Sequence, residues 1–469
     1  MKPRHIAYII WIVIALLGVI CVVVPDDGWH IGKWNLRFPT LAEALDMDHK
    51  DDELSILNDS LIAQVDTMEV IATVDTTPQT TNIQQVKDAK PQPQATKVDT
   101  RTYLAGFYAA LDSSSTRPVR VVHYGDSQIE EDRITNILRE QWQKQYGGGG
   151  VGLIPLHQTI PSRTIRQWLS IGGVVQSAQG GPKRHLVYGP RKMRLNNGDY
   201  GVMGQMALMD STLLAGSEHI VMNIEAIDKQ LKPHNYFNCV RILTDSVSGY
   251  VLAKDSIYHL DETQKAWLPD STTKCEIHLQ GKGKVYGISL ETPTGIIVDN
   301  IPMRGCSGNI FTKIDSVALA EFYRDTNTRL IILQFGGNMI PQTENPATIS
   351  GYVRSTLRQQ VRYLRACAPQ ASILFIGPSD MSTRIDGEMT TYPLVPYMDR
   401  LLKQMAEEEQ IAYWSIYDAM GGQNSMVKWV ETGFAGSDYV HFTRSGAKKI
   451  GRLLYEWLMA YPKTQNTKH

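Results

Sequence analysis

Four short blocks of this chain carry groups suited to acyl chemistry, and they lie far apart. Gly125-Asp126-Ser127 offers a hydroxyl, and Gly305-Cys306-Ser307-Gly308 a glycine-rich turn. Gly336-Gly337-Asn338 offers a side-chain amide, and Asp438-Tyr439-Val440-His441 a carboxylate three positions before an imidazole. Acyl transfer needs a nucleophile, a base to take its proton, an acid to orient the base, and donors for the oxyanion. The chain supplies them in the order Ser, Gly, Asn, Asp, His. Each block alone has a plain structural reading: Ser127 caps a helix in a βα loop, and His441 caps or packs against the last helix. Asp126 is expected to fix its turn rather than react, and His123 to be a packed sheet residue. Asp380 and Arg304 are left open as residues bordering the pocket. No His, Cys and Asp residues share metal-ligand spacing, so neither metal nor cofactor is expected.

The elements that must position these groups follow from periodicity. Arg120–Tyr124 is a short apolar, β-branched run that stops at Gly125, and Ile129, Ile134, Ile137 and Leu138 recur beyond Ser127 at helical spacing. A strand, a tight turn and a helix are expected, with backbone N–H groups of the helix start facing the serine. Further strands are expected at Ile296–Ile301, Arg329–Phe335, Ser372–Ile376 and Ile411–Ile416. Helices are expected at Ile314–Tyr323, around Val353–Leu364, at Leu394–Glu408 and through Ile450–Leu458. Near-continuous apolar strands alternating with helices predict a three-layer α/β domain with a parallel sheet. In such sheets reactive groups gather beyond the carboxyl ends of the strands.

Between the first strand and the rest the texture changes. Residues 156–296 hold short alternating runs (His219–Ile224, Phe237–Leu243, Gly249–Ala253, Cys275–Leu279, Val285–Leu290) separated by turn residues. That spacing predicts an inserted β-sandwich. Its Trp168, Tyr188, Tyr200, Tyr236 and Trp267 are either core or a sugar-binding face. Tyr146–Gly152 lacks the Gly-Lys-Ser/Thr of a phosphate loop and is read as a flexible turn, and Gly281–Lys284 as a hairpin turn.

The 469 residues carry a formal net charge of −1, which gives no reason to expect a nucleic-acid partner. Ile6–Val24 is 19 residues without a charge, preceded by Lys2 and Arg4 and followed by Asp26 and Asp27. At about 1.5 Å per residue it is long enough to span a bilayer. The positive flank predicts a cytoplasmic N-terminus. It lacks the small-residue cleavage site of a signal peptide, so residues 1–25 are expected to be a transmembrane signal anchor. Residues 26–50 hold an aromatic juxtamembrane patch with Trp29 and Trp34, and residues 51–100 contain no aromatic residue and read as a disordered linker. The folded part is then residues 101–155 and 297–469 around the insert at 156–296. Of five cysteines, Cys21 lies in the predicted span, and spacing does not say whether any of Cys239, Cys275, Cys306 and Cys367 pair.

Taken together, the four blocks resemble those of SGNH/GDSL-type serine hydrolases over Val119–Ile154 and Val298–Tyr461. The resemblance implies a flavodoxin-like hydrolase domain in which Ser127 is the nucleophile and His441 the base oriented by Asp438. It also implies an oxyanion hole from the backbone N–H groups of Ser127 and Gly308 and the side chain of Asn338. Gln128 stands where the family name has Leu, and Met339 where Asp often follows Asn. The 181 positions between Ser127 and Gly308 exceed the bare fold. In this the chain is similar to membrane-associated members, interrupted here by a β-sandwich, that act on O-acetyl groups of peptidoglycan or exopolysaccharide. Ile376-Gly377-Pro378-Ser379-Asp380 resembles theirs too.

The function expected is an extracytoplasmic esterase on the outer side of the cytoplasmic (inner) membrane, in the periplasm, removing O-acetyl groups from a cell-envelope glycan through an acyl-enzyme. Two alternatives stay open. One is an O-acetyltransferase with the same triad, supplied by a membrane-bound acyltransferase partner. The other is a catalytically inactive glycan-binding envelope protein.

Overall fold

The computed structural model describes residues 29–31, 34–36, 99–177, 181–210, 219–227 and 233–466. The expected anchor, most of the juxtamembrane patch and the linker lie outside the described residues. Among the described residues no helix is long and apolar enough to cross a membrane. The chain divides into two units, residues 1–65 and 66–469. The described part of the first is a small antiparallel pair, Trp29–Ile31 with Trp34–Leu36.

The second unit is built on five parallel strands: β1 (Val119–Gly125), β2 (Ile296–Pro302), β3 (Thr328–Gln334), β4 (Ser372–Ile376) and β5 (Ala412–Trp414). Their order across the sheet is β2-β1-β3-β4-β5. This doubly wound order reverses direction between β1 and β3, which opens a crevice at the carboxyl ends of those two strands. Successive side chains of a strand point to opposite faces, and here they enter opposite cores. Val122, Tyr124, Ile331, Leu333, Ile373 and Phe375 pack on one face with helices Ser316–Asp325 and Val395–Glu408 and with the helical segment from Pro346 to Cys367. Val121, Leu330, Ile332, Leu374 and Ile376 pack on the other with helices Ala105–Leu111, Thr135–Tyr146 and Arg444–Asn466. Each such side chain removed from water contributes about 1.5–3 kcal/mol, so a sheet covered on both faces rigidly fixes where its strands end.

The connection from β1 to β2 contains two antiparallel sheets. One runs Lys265–Thr272, Phe237–Asp245, Gly283–Glu291, Gln205–Met209, Lys183–Leu186, and Gly152–Ile154 joins it at the Gly283–Glu291 strand. The other runs Ser256–His259, Ser248–Ala253, Lys274–Gln280, His219–Ala226, Ile165–Ile171, Val174–Val175. Val240, Ile242 and Ile288 of the first share one apolar cluster with Met222, Val251 and Ile277 of the second. Arg120 of β1 ties this region to the parallel sheet. Its guanidinium donates to both carboxylate oxygens of Asp299 on β2 at 2.7 and 2.8 Å, and to Glu291 at the end of the antiparallel strand. Arg120 and Asp299 are fully buried. Burial works against the charge on Arg120, but Asp299 and Glu291 outweigh it.

Several expectations need correction. The helix after Ser127 does not start there. Ser127–Asp132 is a 3₁₀ turn, and the α-helix begins at Thr135. Glu131 and Asp132 have φ of 58° and 63°, left-handed values that no continuous helix accepts. The strand expected over Ile411–Ile416 ends at Trp414 because Ser415 caps the short helix Ile416–Met420, accepting from the Asp418 N–H. Helix Ser425–Glu431 and the hairpin Ser382–Ile385/Glu388–Thr391 were not anticipated. Gly281–Lys284 does not close a hairpin, since the strands on either side of it lie in different sheets. Tyr146–Gly152 is a packed segment rather than a loose turn. A Cβ on Gly148 would stand 2.5 Å from the Ile296 backbone, and one on Gly150 2.1 Å from the Leu290 carbonyl. The five aromatic residues do not share a face. Tyr200 and Tyr188 pack into the core of the α/β part, while Trp267 and Trp168 belong to different sheets. Cys239, Cys275, Cys306 and Cys367 are buried free thiols.

Candidate active site

Ser127 follows β1, Gly308 follows β2, Asn338 follows β3, and the loop with Asp438 and His441 precedes the last helix. Although 314 positions separate Ser127 from His441, the Ser127 Oγ lies 2.8 Å from His441 Nε2. On the far side of the ring, His441 Nδ1 is 2.6 Å from Asp438 Oδ2. A carboxylate beside Nδ1 selects the tautomer with the proton there, so Nε2 carries the lone pair and accepts from the Ser127 hydroxyl. The three groups form one chain from hydroxyl to carboxylate, largely removed from solvent: Ser127 is 7 % exposed.

The loop bearing His441 is shaped locally. Asp438 Oδ1 accepts from the N–H groups of Val440 and His441, both at 3.1 Å, and Tyr439 between them takes a left-handed φ of 58°. Burial alone would raise the Asp438 carboxyl. The hydrogen bond and charge of His441 and these two N–H groups outweigh it, and the group is held below its usual value. It therefore stays ionised while the imidazole works.

The turn at Ser127 is fixed by Asp126, in the structural role expected of it. Its Oδ1 accepts from Gln128 N–H at 3.0 Å and caps the 3₁₀ turn, and its Oδ2 accepts from Asn338 Nδ2 at 3.3 Å. Asn338 Nδ2 also donates to the Cys306 carbonyl at 3.2 Å, so this amide joins the segments that follow β1, β2 and β3. Gly308 has a φ of +91°, and a Cβ there would stand 2.9 Å from Phe335. Only glycine fits. Its N–H points at Cys306 Sγ, 3.3 Å away. Sulfur is a weak acceptor, so exchanging it for an oxyanion costs little. The loop is further held by Tyr352, whose hydroxyl donates to the Ser307 carbonyl from the first residue of a π-helical turn, Tyr352–Leu357. Such turns recur at functional sites.

Other candidates are structural. His123 is fully buried between Gln334 and Thr135, and burial pushes its imidazole down to about 3. Asp380 accepts from Met426 N–H at 2.8 Å at the start of helix Ser425–Glu431. Arg304 forms a two-bond ion pair with Glu130, at 2.8 and 2.5 Å. Sequence reasoning missed the contacts of Gln128, whose side chain reaches Ser379, Val440 and Phe442. A polar residue beside the nucleophile, where an apolar one is usual, was the available signal.

Residues 270–449 match the model of the GDSL-like lipase/acylhydrolase family. Over that stretch the chain is similar to SGNH/GDSL-type serine hydrolases. Hydrolases of this type act on ester bonds, as the hydroxyl–imidazole–carboxylate chain equips this one to do. A solved structure of a peptidoglycan O-acetylesterase shares the hydrolase's fold at 20 % identity and a TM-score of 0.58, over 78 % of this chain and 97 % of that one. An acetylxylan esterase from Geobacillus stearothermophilus, solved as a catalytic mutant, overlaps 35 % of this chain and 73 % of its own, at 17 % identity and a TM-score of 0.25. That overlap is too small to bear on this hydrolase. No curated protein sequence matches it.

Proposed function

We propose that this hydrolase removes O-acetyl groups from a cell-envelope glycan, with Ser127 as nucleophile, His441 as base and Asp438 as its orienter. The observation that carries this is the unbroken 2.8 and 2.6 Å chain from Ser127 through His441 to Asp438. Ser127 Oγ attacks the acetyl carbonyl while its proton passes to His441 Nε2. The N–H groups of Ser127 and Gly308 hold the oxyanion, and the Asn338 amide joins them by exchanging its bond to the Cys306 carbonyl for one to the oxyanion. Collapse expels the sugar oxygen, which takes the proton back from His441, and leaves an acetyl-serine. Water, deprotonated by the same imidazole, then releases acetate and restores the hydroxyl.

The likeness to the peptidoglycan O-acetylesterase over most of both chains supports a glycan ester as substrate. The two antiparallel sheets with their common core support reading residues 156–296 as an inserted β-sandwich. The apolar stretch Ile6–Val24 with its basic flank supports a single-pass anchor that holds the catalytic part on the periplasmic side.

The test is acetate release from an aryl acetate and from O-acetylated peptidoglycan by the full chain, with and without a sugar acceptor. Acetate release is expected, and Ser127→Ala should lower kcat by ~10⁴-fold or more. Full activity in that variant removes Ser127 as nucleophile. Acetylation of the acceptor in preference to acetate release replaces the esterase by a transferase, and binding of the glycan without turnover replaces both by a binding protein.

A further inference from the structure

The loop that carries His441 must be placed against Ser127 to within a few tenths of an ångström for proton transfer, and its internal bonds cannot do that. Asp438 shapes the loop from inside, and Gly436 N–H closes it on the His441 carbonyl at 2.8 Å. Gln128 is different, since it is the chain neighbour of Ser127. Its Nε2 donates to the Val440 carbonyl at 2.6 Å, and its Oε1 accepts from the Phe442 N–H at 3.4 Å. These are the residues on either side of His441. Nε2 also donates to Ser379 Oγ at 3.3 Å, and the side chain is buried.

Only one orientation of the amide satisfies these partners, because a carbonyl must face the NH₂ and an N–H must face the oxygen. Leucine of similar size would leave the Val440 carbonyl unmatched, and glutamate would set an anion against it.

We infer that Gln128 is a positioning residue that clamps both peptide neighbours of His441 to the turn bearing Ser127, and so sets the distance between base and nucleophile. The inference rests on the reading of Ser127 and His441 as reacting groups. The clamp makes a contact between residues 314 positions apart depend on the residue next to the nucleophile. Its side chain bonds Ser379 and the peptides beside His441, not the Ser127 hydroxyl or the imidazole, so it acts in acylation and deacylation alike.

The test compares Gln128→Leu, which keeps volume, with Gln128→Glu, which keeps shape and one acceptor but loses the donors. Both full-length variants are assayed with an aryl acetate beside wild type and Ser127→Ala. Displacing a reacting group by about 1 Å costs roughly 100-fold in rate, so kcat is expected to fall by about that factor in both, with KM within about twofold of wild type. Backbone hydrogen exchange, which needs no turnover, should quicken about tenfold across residues 436–443 and stay unchanged in β4. The clamp is overturned if either variant keeps kcat within about threefold of wild type, if the loss lies in KM, or if exchange across 436–443 does not change. An inactive wild type, or an active Ser127→Ala, refutes the reaction instead, and the exchange measurement still decides whether Gln128 holds the loop.

Discussion

At the scale of the residue, the site depends on a few atoms whose removal has distinct signatures. Asp438→Asn keeps the shape of the turn but offers an N–H or a neutral oxygen to His441 Nδ1, so the required tautomer loses its partner. We expect kcat to fall roughly 10³–10⁴-fold with KM little changed, read from steady-state hydrolysis of an aryl acetate. Gly308→Ala meets two obstacles at once, a φ of +91° and a Cβ 2.9 Å from Phe335. The backbone must turn its N–H away from the oxyanion position, and losing one donor costs about 10²-fold in kcat. An aryl acetate and an acetylated sugar form the same acetyl oxyanion and differ only in whether a phenol or a sugar hydroxyl leaves, so the loss should be the same for both. The types of these residues and their order were legible along the chain. The hydrogen bonds of Gln128 were not, because a side chain's partners 312 and 314 positions away leave no trace in local periodicity.

At the scale of the element, the strand ends matter more than the strands. Alternation fixed β1 to β4 closely from sequence, since a sheet covered on both faces demands apolar residues at successive positions, as in Leu330–Leu333. What escaped were elements set by single side chains and special backbone angles. Ser415 ends β5 by capping the next helix, and left-handed Glu131 and Asp132 delay the helix after Ser127 to Thr135. The crossings between antiparallel sheets escaped for a related reason, because a turn's composition does not say whether the strands it joins pair. The Arg120–Asp299–Glu291 cluster makes a prediction at this level. Arg120→Met removes the shared cation, leaving buried Asp299 without one and Glu291 with Arg241 alone, which should destabilise the protein by about 3–5 kcal/mol. The midpoint of denaturant unfolding measures it. Replacement of the neighbouring surface residue Arg117, which is exposed, should stay within about 0.5 kcal/mol.

At the scale of the whole molecule, stability should decline on the acid side. His123 is held neutral in the fold, its value pushed from 6.5 to about 3, mainly by burial, whereas the unfolded chain binds a proton there below pH 6.5. The unfolded state therefore holds more protons between those limits, and stability falls as pH drops through that window. Asp438, held low, acts in the same sense: its contribution is present above the ordinary 3.8 and is lost as pH falls through its folded value. Asp380 and Asp399, raised by burial, act in the opposite sense just above 3.8. Thermal unfolding of wild type and His123→Gln from pH 7 to 4 separates these terms, and the variant should show the shallower slope. The layered α/β plan was legible because it follows from the hydrophobic period of its strands and helices. The packing of residues 187–203 into the core of the α/β part was not, since those residues have no regular period of their own. The separation of the reacting groups along the chain has a consequence for biosynthesis. A ribosome delivers the serine more than three hundred residues ahead of its partner imidazole, and β2, β3, β4 and β5 must be laid down in between. The nascent enzyme is thus chemically silent throughout its synthesis, and it acquires the power to cut esters in a single late event, when the C-terminal helix docks.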